Sequence, residues 1–254
     1  MIHVVRYESR QDWAEHVAAR LASFLADQPA ARVALPTGAT PEPVYAGMVD
    51  AVRAGVASFR SAHVFLLDEF GGVPPDAKGR CDVMLHRSLL DHVDLAPQRY
   101  RRLDPEAEDL AAMCAAYDAS MTPPLDMMVL GIGRNGHVGM NEPGTSPESA
   151  TRRVELAPST TQASVRYFGE GAALPTWGVT IGLSAILAAR TIWILATGDS
   201  KADIVRDVLL EPVSTTRPAS LLRGHPNCWL FLDAAAAAKL PVGVLSREIG
   251  RAHV

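Results

Sequence analysis

The stretch LDMMVLGIGRNGHVGMNEPG, residues 125–144, decides the fold. Its first half is almost continuously apolar, which is typical of a strand buried on both faces within a parallel sheet. Similar runs, separated by helical patterns, occur at IHVVRY, ARVALP, AHVFLLDE, TWGVTIG, TIWILATG and CWLFLD. This alternation predicts a single α/β domain over residues 1–254, with a mostly parallel, open, Rossmann-like sheet and helices on both faces. Near the C-terminus, AAAAAKL predicts one more helix segment.

The composition limits the class of protein. With 254 residues and 48% hydrophobic side chains, the chain can bury a substantial core. A formal net charge of −4 argues against nucleic acid as a partner, and no apolar run approaches the ~20 residues that span a membrane. The three cysteines, Cys81, Cys114 and Cys228, form no paired motif, and no signal peptide is evident. We therefore expect reduced thiols in a cytoplasmic protein.

Three glycines in the opening stretch have the spacing of a dinucleotide-binding turn. Gly131, Gly133 and Gly136 follow the order G-x-G-x-x-G, which binds a dinucleotide when the glycines lead directly into a helix. Here Pro143 and Gly144 end any helix early. The sequence therefore favours a loop with chemistry of its own, and we expect no cofactor.

Polar residues that follow strands indicate what that chemistry is. His137 and Glu142 lie five residues apart on this loop, where both side chains can face one pocket as a proton-transfer pair. Asp68 follows the strand AHVFLL at the edge where ligands bind, and burial there raises a carboxyl pKa enough for proton transfer at neutral pH. The alternatives are a structural histidine and an acidic helix cap or surface pair.

A second group of residues predicts an anion site. LPTGATP joins a strand to a helix that begins near Pro41, so hydroxyls and free N–H groups face outward at Thr37, Gly38, Ala39 and Thr40. Lys201 begins a helix after another strand, and Arg166 lies in an apparently irregular segment of the kind that forms lids. The alternatives are an ordinary turn and solvated cations. The histidines lack metal-ligand spacing, so we expect no metal.

Five motifs in order give the chain a family resemblance. LPTGATP, LDEFGGVP, GIGRNGHVGMNEPGTS, TIGLSAIL and GDSKA together resemble the glucosamine-6-phosphate deaminases, also called glucosamine-6-phosphate isomerases. The same superfamily contains the 6-phosphogluconolactonases, whose corresponding segment resembles G-x-D-G-H-T-A-S-L-F-P. This chain has VGMNEP at that place, which favours the deaminase.

The resemblance implies a reaction and a role for each catalytic residue. Members convert an amino-sugar 6-phosphate and water to fructose 6-phosphate and ammonia without a cofactor or metal. Asp68 matches the base that moves a proton from C2 to C1 through a cis-enolamine, and His137 matches the group that opens the sugar ring. Glu142 matches the acid that supports the histidine. Asn135 stands where other members have Asp, and we expect it to orient the imidazole by hydrogen bonding without sharing its charge.

The resemblance also implies how the substrate is held. Thr37, Gly38, Ala39 and Thr40 match the phosphate-binding turn, and Arg166 and Lys201 match its cationic clamp. Residues 149–177 are expected to form a lid that closes with Arg166. Some members are hexamers activated by N-acetylglucosamine 6-phosphate. Arg152 matches one residue of that effector site, but Val154 replaces a lysine and the terminal REIGRAHV has no tyrosine. We expect no such activation, and a monomer or small homo-oligomer.

Three other functions remain compatible with the sequence. The first is the same chemistry on galactosamine 6-phosphate, because the loops that read the C4 hydroxyl cannot be identified. The second is 6-phosphogluconolactone hydrolysis, which needs no base at C2 and would survive substitution of Asp68. The third is a non-catalytic sugar-phosphate sensor. It is disfavoured because the first predicted strand begins near Ile2, which leaves no room for a preceding helix-turn-helix region. The catalytic set of Asp68, His137 and Glu142 is also complete, whereas a pure sensor could lose it.

Overall fold

Ten strands and seven helices alternate along residues 2–241 and 243, the part of the chain that this computed structural model describes. The strands are β1 (His3–Tyr7), β2 (Arg32–Leu35), β3 (His63–Leu66), β4 (Asp68–Gly71), β5 (Tyr100–Arg101), β6 (Met127–Gly131), β7 (Arg152–Glu155), β8 (Trp177–Thr180), β9 (Ile192–Ala196) and β10 (Cys228–Asp233). The helices are α1 (Arg10–Asp27), α2 (Glu42–Arg53), α3 (Cys81–Ser88), α4 (Leu110–Ser120), α5 (Pro158–Phe168), α6 (Leu183–Ala188) and α7 (Ala202–Leu210). Short 3₁₀ turns lie at Leu90–His92, Pro97–Arg99, Asp199–Lys201 and Pro218–Gly224.

Seven strands form the main sheet in the order β1-β10-β9-β6-β2-β3-β5, and every neighbouring pair is parallel. Successive residues of the central strand β6 enter opposite cores. Met127 and Val129 pack with α1, α2 and α3, whereas Met128 and Leu130 pack with α4, α6 and α7. Because both faces are covered by helices, a strand of this sheet must be apolar at every position. The predicted single-domain α/β fold is confirmed.

The first helix shows how local sequence sets these elements. Ser9 accepts a hydrogen bond from the Asp12 main-chain N–H at 3.0 Å and so caps the N-terminus of α1. Trp13, Val17 and Leu21 then recur every four residues and are buried against the sheet. Within the described residues, no helix combines the length and apolar character needed to cross a bilayer.

Two features differ from a simple reading of the sequence. The run AHVFLLDE divides at Leu67, which accepts a main-chain hydrogen bond from Ile181, and β4 then leaves the main sheet to form an antiparallel sheet in the order β4-β8-β7. The run AAAAAKL was predicted as helix, and that was wrong: residues 234–239 form turns. The Asp233 carboxylate binds the N–H groups of Ala236 and Gly198 there, which competes with a helix.

A buried carboxylate fixes β4 to the start of α3. Glu69 is fully buried and accepts hydrogen bonds from the main-chain N–H groups of Phe70, Cys81 and Asp82 at 2.7, 2.9 and 2.9 Å. The Arg80 guanidinium lies 3.1 Å from the same carboxylate. Arg80 is the last residue before α3, and its pairing with Glu69 holds the start of the helix against the strand that carries Asp68.

The ion pair between Glu69 and Arg80 should contribute to the stability of the fold. We expect Glu69→Gln to lower the free energy of unfolding by about 3–5 kcal/mol, because it removes the buried carboxylate that pairs with Arg80 and leaves only the partly exposed Glu106 to balance the guanidinium. Glu106 also pairs with Arg80, at 2.7 Å, but its side chain is 43% exposed. The matched control Glu106→Gln should therefore cost at most about 1 kcal/mol. Urea unfolding measures both, and equal losses in the two variants would contradict this account.

Candidate active site

A cavity of about 400 Å³ opens at the carboxyl ends of the parallel strands. Segments that follow β2, β3, β6 and β9 line it, and α3 and α5 contribute further parts of the wall. This is the edge at which open α/β sheets bind ligands. Of the residues predicted from sequence, the structure brings seven to this cavity: Thr37, Thr40, Asp68, Asn135, His137, Arg166 and Lys201.

Asp68 begins β4 and lines the cavity from one side. The Cys81 thiol donates a hydrogen bond to its Oδ1 atom at 3.4 Å. Burial raises the pKa of Asp68 to about 6, although the Cys81 hydrogen bond and the nearby His137 charge oppose that rise. The carboxylate is therefore mainly ionised at neutral pH and still basic enough to take up a proton.

His137 and Glu142 form a pair on the loop after β6. The His137 Nδ1 atom lies 3.5 Å from Glu142 Oε2 and 3.4 Å from the Thr160 hydroxyl. Burial opposes the charge on Glu142, but hydrogen bonds from His137, Thr160 and Asn135 and the histidine charge outweigh it and lower the pKa of Glu142 to about 2. The carboxylate thus stays ionised and can stabilise a proton on the imidazole.

Asn135 acts differently from the expectation that it orients the imidazole. Its amide donates to Glu142 Oε2 at 2.7 Å, and its Oδ1 accepts the His137 main-chain N–H at 3.2 Å. No described hydrogen bond joins Asn135 to the imidazole ring itself. Asn135 therefore fixes the carboxylate and the loop, and it reaches the ring only through Glu142.

The glycines of this loop serve the loop itself. A methyl group at Gly133 would overlap the His137 ring, so only glycine lets the imidazole fold back over the main chain at this point. Residues 132–151 contain no helix, so the glycines do not lead into the helix that a dinucleotide site requires. In this protein the G-x-G-x-x-G segment therefore helps to position the His137 side chain.

Asn141 and Arg152 hold the end of the loop. The Asn141 amide is fully buried and donates to the main-chain oxygens of Val138 and Ile181 at 3.0 and 2.8 Å. Arg152 in turn donates to Asn141 Oδ1 at 3.0 Å and to the Thr145 hydroxyl at 3.2 Å. Both side chains are structural here. The terminal segment REIGRAHV, which bears on the expected absence of activation, lies outside the described residues.

Cationic side chains converge on another part of the cavity. Lys201 donates from Nζ to the Ile132 main-chain oxygen at 2.6 Å, and burial together with the charges of Arg166 and Arg134 lowers its pKa to about 8. Arg166 lies in the last turn of α5, so its assignment to an irregular segment was wrong. Arg166 and its neighbour Tyr167 both line the cavity.

The turn after β2 has the expected strand-to-helix geometry and one unexpected neighbour. Gly38 has φ +94°, which favours glycine, and a side chain there would overlap the Tyr167 hydroxyl. Tyr167 is hydrogen-bonded to the Ala39 main chain. Thr37 and Thr40 line the cavity, whereas the main chain of Gly38 and Ala39 lies against Tyr167.

Sequence reasoning missed several residues of the site, among them Cys81, Arg134, Thr160 and Tyr167. Cys81 comes from a segment whose local pattern carries no sign of a pocket. Thr160 and Tyr167 lie within the expected lid, but they are recognised individually only once α5 is placed. Arg134 lies within the motif GIGRNGHVGMNEPGTS, so its place in that motif could have identified it as a residue of the site. Within residues 2–241 and 243, no group of three or more potential ligands is arranged to hold a metal ion.

The low pKa of Glu142 has a consequence for stability. A carboxyl whose pKa is about 2 in the folded state and about 4.5 when unfolded stabilises the fold by up to about 3 kcal/mol above pH 4.5. That contribution disappears as the pH falls from 4.5 towards 2. We therefore expect the stability difference between wild type and Glu142→Gln to shrink over this window. Urea unfolding at several pH values tests it, and a pH-independent difference would contradict the account.

Comparison with known proteins agrees with this geometry. The model of the family described as glucosamine-6-phosphate isomerases/6-phosphogluconolactonase matches residues 6–230. A glucosamine-6-phosphate deaminase of Beutenbergia cavernae is 36% identical over 250 residues, which cover 97% of this chain and 96% of the relative.

Solved structures extend the comparison. One described as a monomeric glucosamine-6-phosphate deaminase has a TM-score of 0.90 and 32% identity, covering 94% of this chain and all of the other. The 6-phosphogluconolactonase of Trypanosoma brucei, at 22% identity and a TM-score of 0.74, covers 95% of this chain and 99% of its own and shares the fold. The chain belongs to the family of glucosamine-6-phosphate isomerases and 6-phosphogluconolactonases.

Proposed function

We propose that this protein is a glucosamine-6-phosphate deaminase, which converts glucosamine 6-phosphate and water to fructose 6-phosphate and ammonia. The observation that carries the proposal is one cavity lined both by Asp68, a carboxylate of raised pKa, and by His137, whose imidazole pairs with Glu142. Its relative in Beutenbergia cavernae and a similar solved structure both bear this enzyme's name.

The phosphate group of the substrate supplies binding energy away from the reacting carbons. Thr40 offers a hydroxyl donor at the start of α2, Thr37 offers a second once its hydroxyl turns from the Cys81 sulfur, and Arg166 and Lys201 offer charges. The main-chain N–H groups at Gly38 and Ala39 join them once Tyr167 moves aside. A dianion held in this way fixes C1 and C2 of the sugar relative to Asp68.

Ring opening comes first in the proposed mechanism. The pyranose must lose the proton of its C1 hydroxyl and gain one on the ring oxygen. His137 carries out this transfer, because its imidazole takes up and releases a proton while the ionised Glu142 stabilises the protonated form. Asn135 keeps Glu142 in place through its 2.7 Å hydrogen bond.

Asp68 then moves a proton between neighbouring carbons. It removes the C2 proton of the open-chain aldehyde, and the electron pair left on C2 forms the C1–C2 double bond of a cis-enolamine. The carbonyl oxygen at C1 takes up a proton from the neighbouring ammonium group at C2 and becomes a hydroxyl. The same carboxyl returns a proton to C1, which leaves an iminium group at C2. Water adds to C2 and ammonia departs, so that fructose 6-phosphate is formed with all atoms accounted for. A single carboxylate can reach both carbons from the same face of the substrate, so one group can carry out both proton transfers.

The alternatives are separated by substrate. Galactosamine 6-phosphate differs only at C4, and the same residues would process it. The lactonase neighbours at 22% identity or below share the fold, and lactone hydrolysis has no use for a C2 base. A sensor would bind sugar phosphates without turnover. We favour the deaminase because Asp68 is present together with the His137–Glu142 pair, whose histidine lies close enough for its charge to act on the pKa of Asp68.

Further properties are proposed with the activity. Residues 149–177, which contain β7 and α5, act as a lid that brings Arg166 onto the phosphate. The protein is a monomer or small homo-oligomer without activation by N-acetylglucosamine 6-phosphate. Light scattering and assays with that effector test these points. The three cysteines are free and buried, which supports a place in the reducing cytoplasm.

The first experiment is release of ammonia and fructose 6-phosphate from glucosamine 6-phosphate, with galactosamine 6-phosphate in parallel. We expect wild-type turnover and a loss of about 10²–10⁴-fold in kcat for Asp68→Asn, because an amide cannot accept the C2 proton. Asp50→Asn, an exposed site on α2, is the matched control and should be fully active. Lack of turnover of either sugar, or an active Asp68→Asn protein, would refute the proposal.

The phosphate clamp has its own test. Arg166→Met should reduce kcat/KM for glucosamine 6-phosphate by about 10–100-fold, because one charge-assisted hydrogen bond to the phosphate is lost. Glucosamine, which lacks the phosphate, should be an equally poor substrate for both proteins. Arg53→Met removes an exposed guanidinium at the end of α2 and should change neither value. An equal effect on both substrates would show that Arg166 does not bind the phosphate.

A further inference from the structure

Cys81 lines the cavity, although neither the sequence motifs nor the proposed mechanism gives it a role. It is the first residue of α3, it is 2% exposed, and its side chain lines the cavity beside Asp68. Its Sγ atom lies 3.4 Å from Asp68 Oδ1. The sulfur also accepts a hydrogen bond from the Thr37 hydroxyl. The thiol thus connects the turn after β2 to the carboxylate that begins β4.

The main chain holds this thiol firmly. The Cys81 N–H group donates to the buried Glu69 carboxylate at 2.9 Å, and Arg80 just before it pairs with the same group at 3.1 Å. Because Glu69 and Asp68 are adjacent in β4, the anchor of α3 and the acceptor of the thiol move as one unit. The S–H group is therefore directed at Asp68 by a rigid support.

The environment suits a hydrogen-bond donor and not a nucleophile. Burial and the charges of Asp68 and Glu69 raise the pKa of the Cys81 thiol well above its usual range, so the sulfur keeps its proton. A thiol donates weakly. It can orient the Asp68 carboxylate and still leave that group basic, whereas a stronger donor would make it a poorer base.

We propose that Cys81 is a positioning residue for the reaction: its thiol donates to Asp68 and holds the carboxylate in the orientation that proton transfer between C2 and C1 requires. The proposal rests on the deaminase function proposed above. In the described part of the chain, the other titratable groups whose charges act on or respond to Asp68 are His137, Tyr45 of α2 and Tyr117 of α4. None of these is altered by substitution at Cys81.

The test compares Cys81→Ala, Cys81→Ser and wild type in the pH dependence of kcat/KM. Activity should rise with pH as Asp68 ionises near its pKa of about 6. Loss of the donor in Cys81→Ala should move this acid limb upward by at least about half a pH unit, and the stronger hydroxyl donor of Cys81→Ser should hold it at or below the wild-type position. The substrate phosphate titrates in the same range, but identically for all variants.

A second readout does not depend on turnover. The infrared S–H stretch of Cys81, assigned by difference with Cys81→Ala, should lie below those of the other two thiols. Asp68→Asn should raise its frequency, and Asp50→Asn should not. Cys114→Ala removes a buried thiol of α4 and is the control for both measurements; it should leave the acid limb and the Cys81 band unchanged. The infrared comparison needs only one Cys81 variant that folds, because Cys81→Ser assigns the band equally well.

The outcomes separate the two proposals. An active wild type whose acid limb is the same in all three proteins, or a Cys81 band that Asp68→Asn does not shift, overturns the role of Cys81 alone. A wild type that releases neither ammonia nor fructose 6-phosphate overturns the deaminase function and the role of Cys81 in it. If the acid limb of Cys81→Ala lies at higher pH than that of wild type, and the acid limb of Cys81→Ser lies at the same or lower pH, both proposals are supported.

Discussion

The ion pair between Glu69 and Arg80 is the constraint on which the rest of the site depends. Glu69 is fully buried, lies 3.1 Å from the guanidinium and accepts hydrogen bonds from three main-chain N–H groups, one in β4 and two at the start of α3. A buried carboxylate with these partners resists displacement, because any movement leaves charges or donors unsatisfied. Asp68 precedes it directly, so the same anchor sets where the proposed base points.

The main sheet supplies the other half of the arrangement. Since its seven strands are all parallel, the segments after β2, β6 and β9 end at one edge, and each delivers a different function to one cavity. The turn after β2 offers hydroxyls, the loop after β6 offers His137, and the segment after β9 offers Lys201. Glycine at 133 then lets the imidazole fold back over its own loop. The proposed proton transfer and anion binding thus use groups from a single domain.

Much of this was accessible from sequence because strand ends are local features. Apolar runs marked the strands, and polar residues directly after them marked Asp68, His137 and Lys201 as members of one site. What sequence could not give were contacts between segments far apart in the chain. Cys81 and Tyr167 reach the cavity only because α3 and α5 pack across it, and the same apolar pattern does not reveal that β8 runs antiparallel in a separate sheet.

In the proposed mechanism one carboxylate, Asp68, moves a proton between C2 and C1 on a single face of the substrate. Conversion of glucosamine 6-phosphate in D₂O, followed by NMR of the C1 methylene of the product, tests this step. We expect fructose 6-phosphate in which any deuterium occupies only one of the two C1 positions. Deuterium spread over both positions, or no fructose 6-phosphate at all, would contradict it.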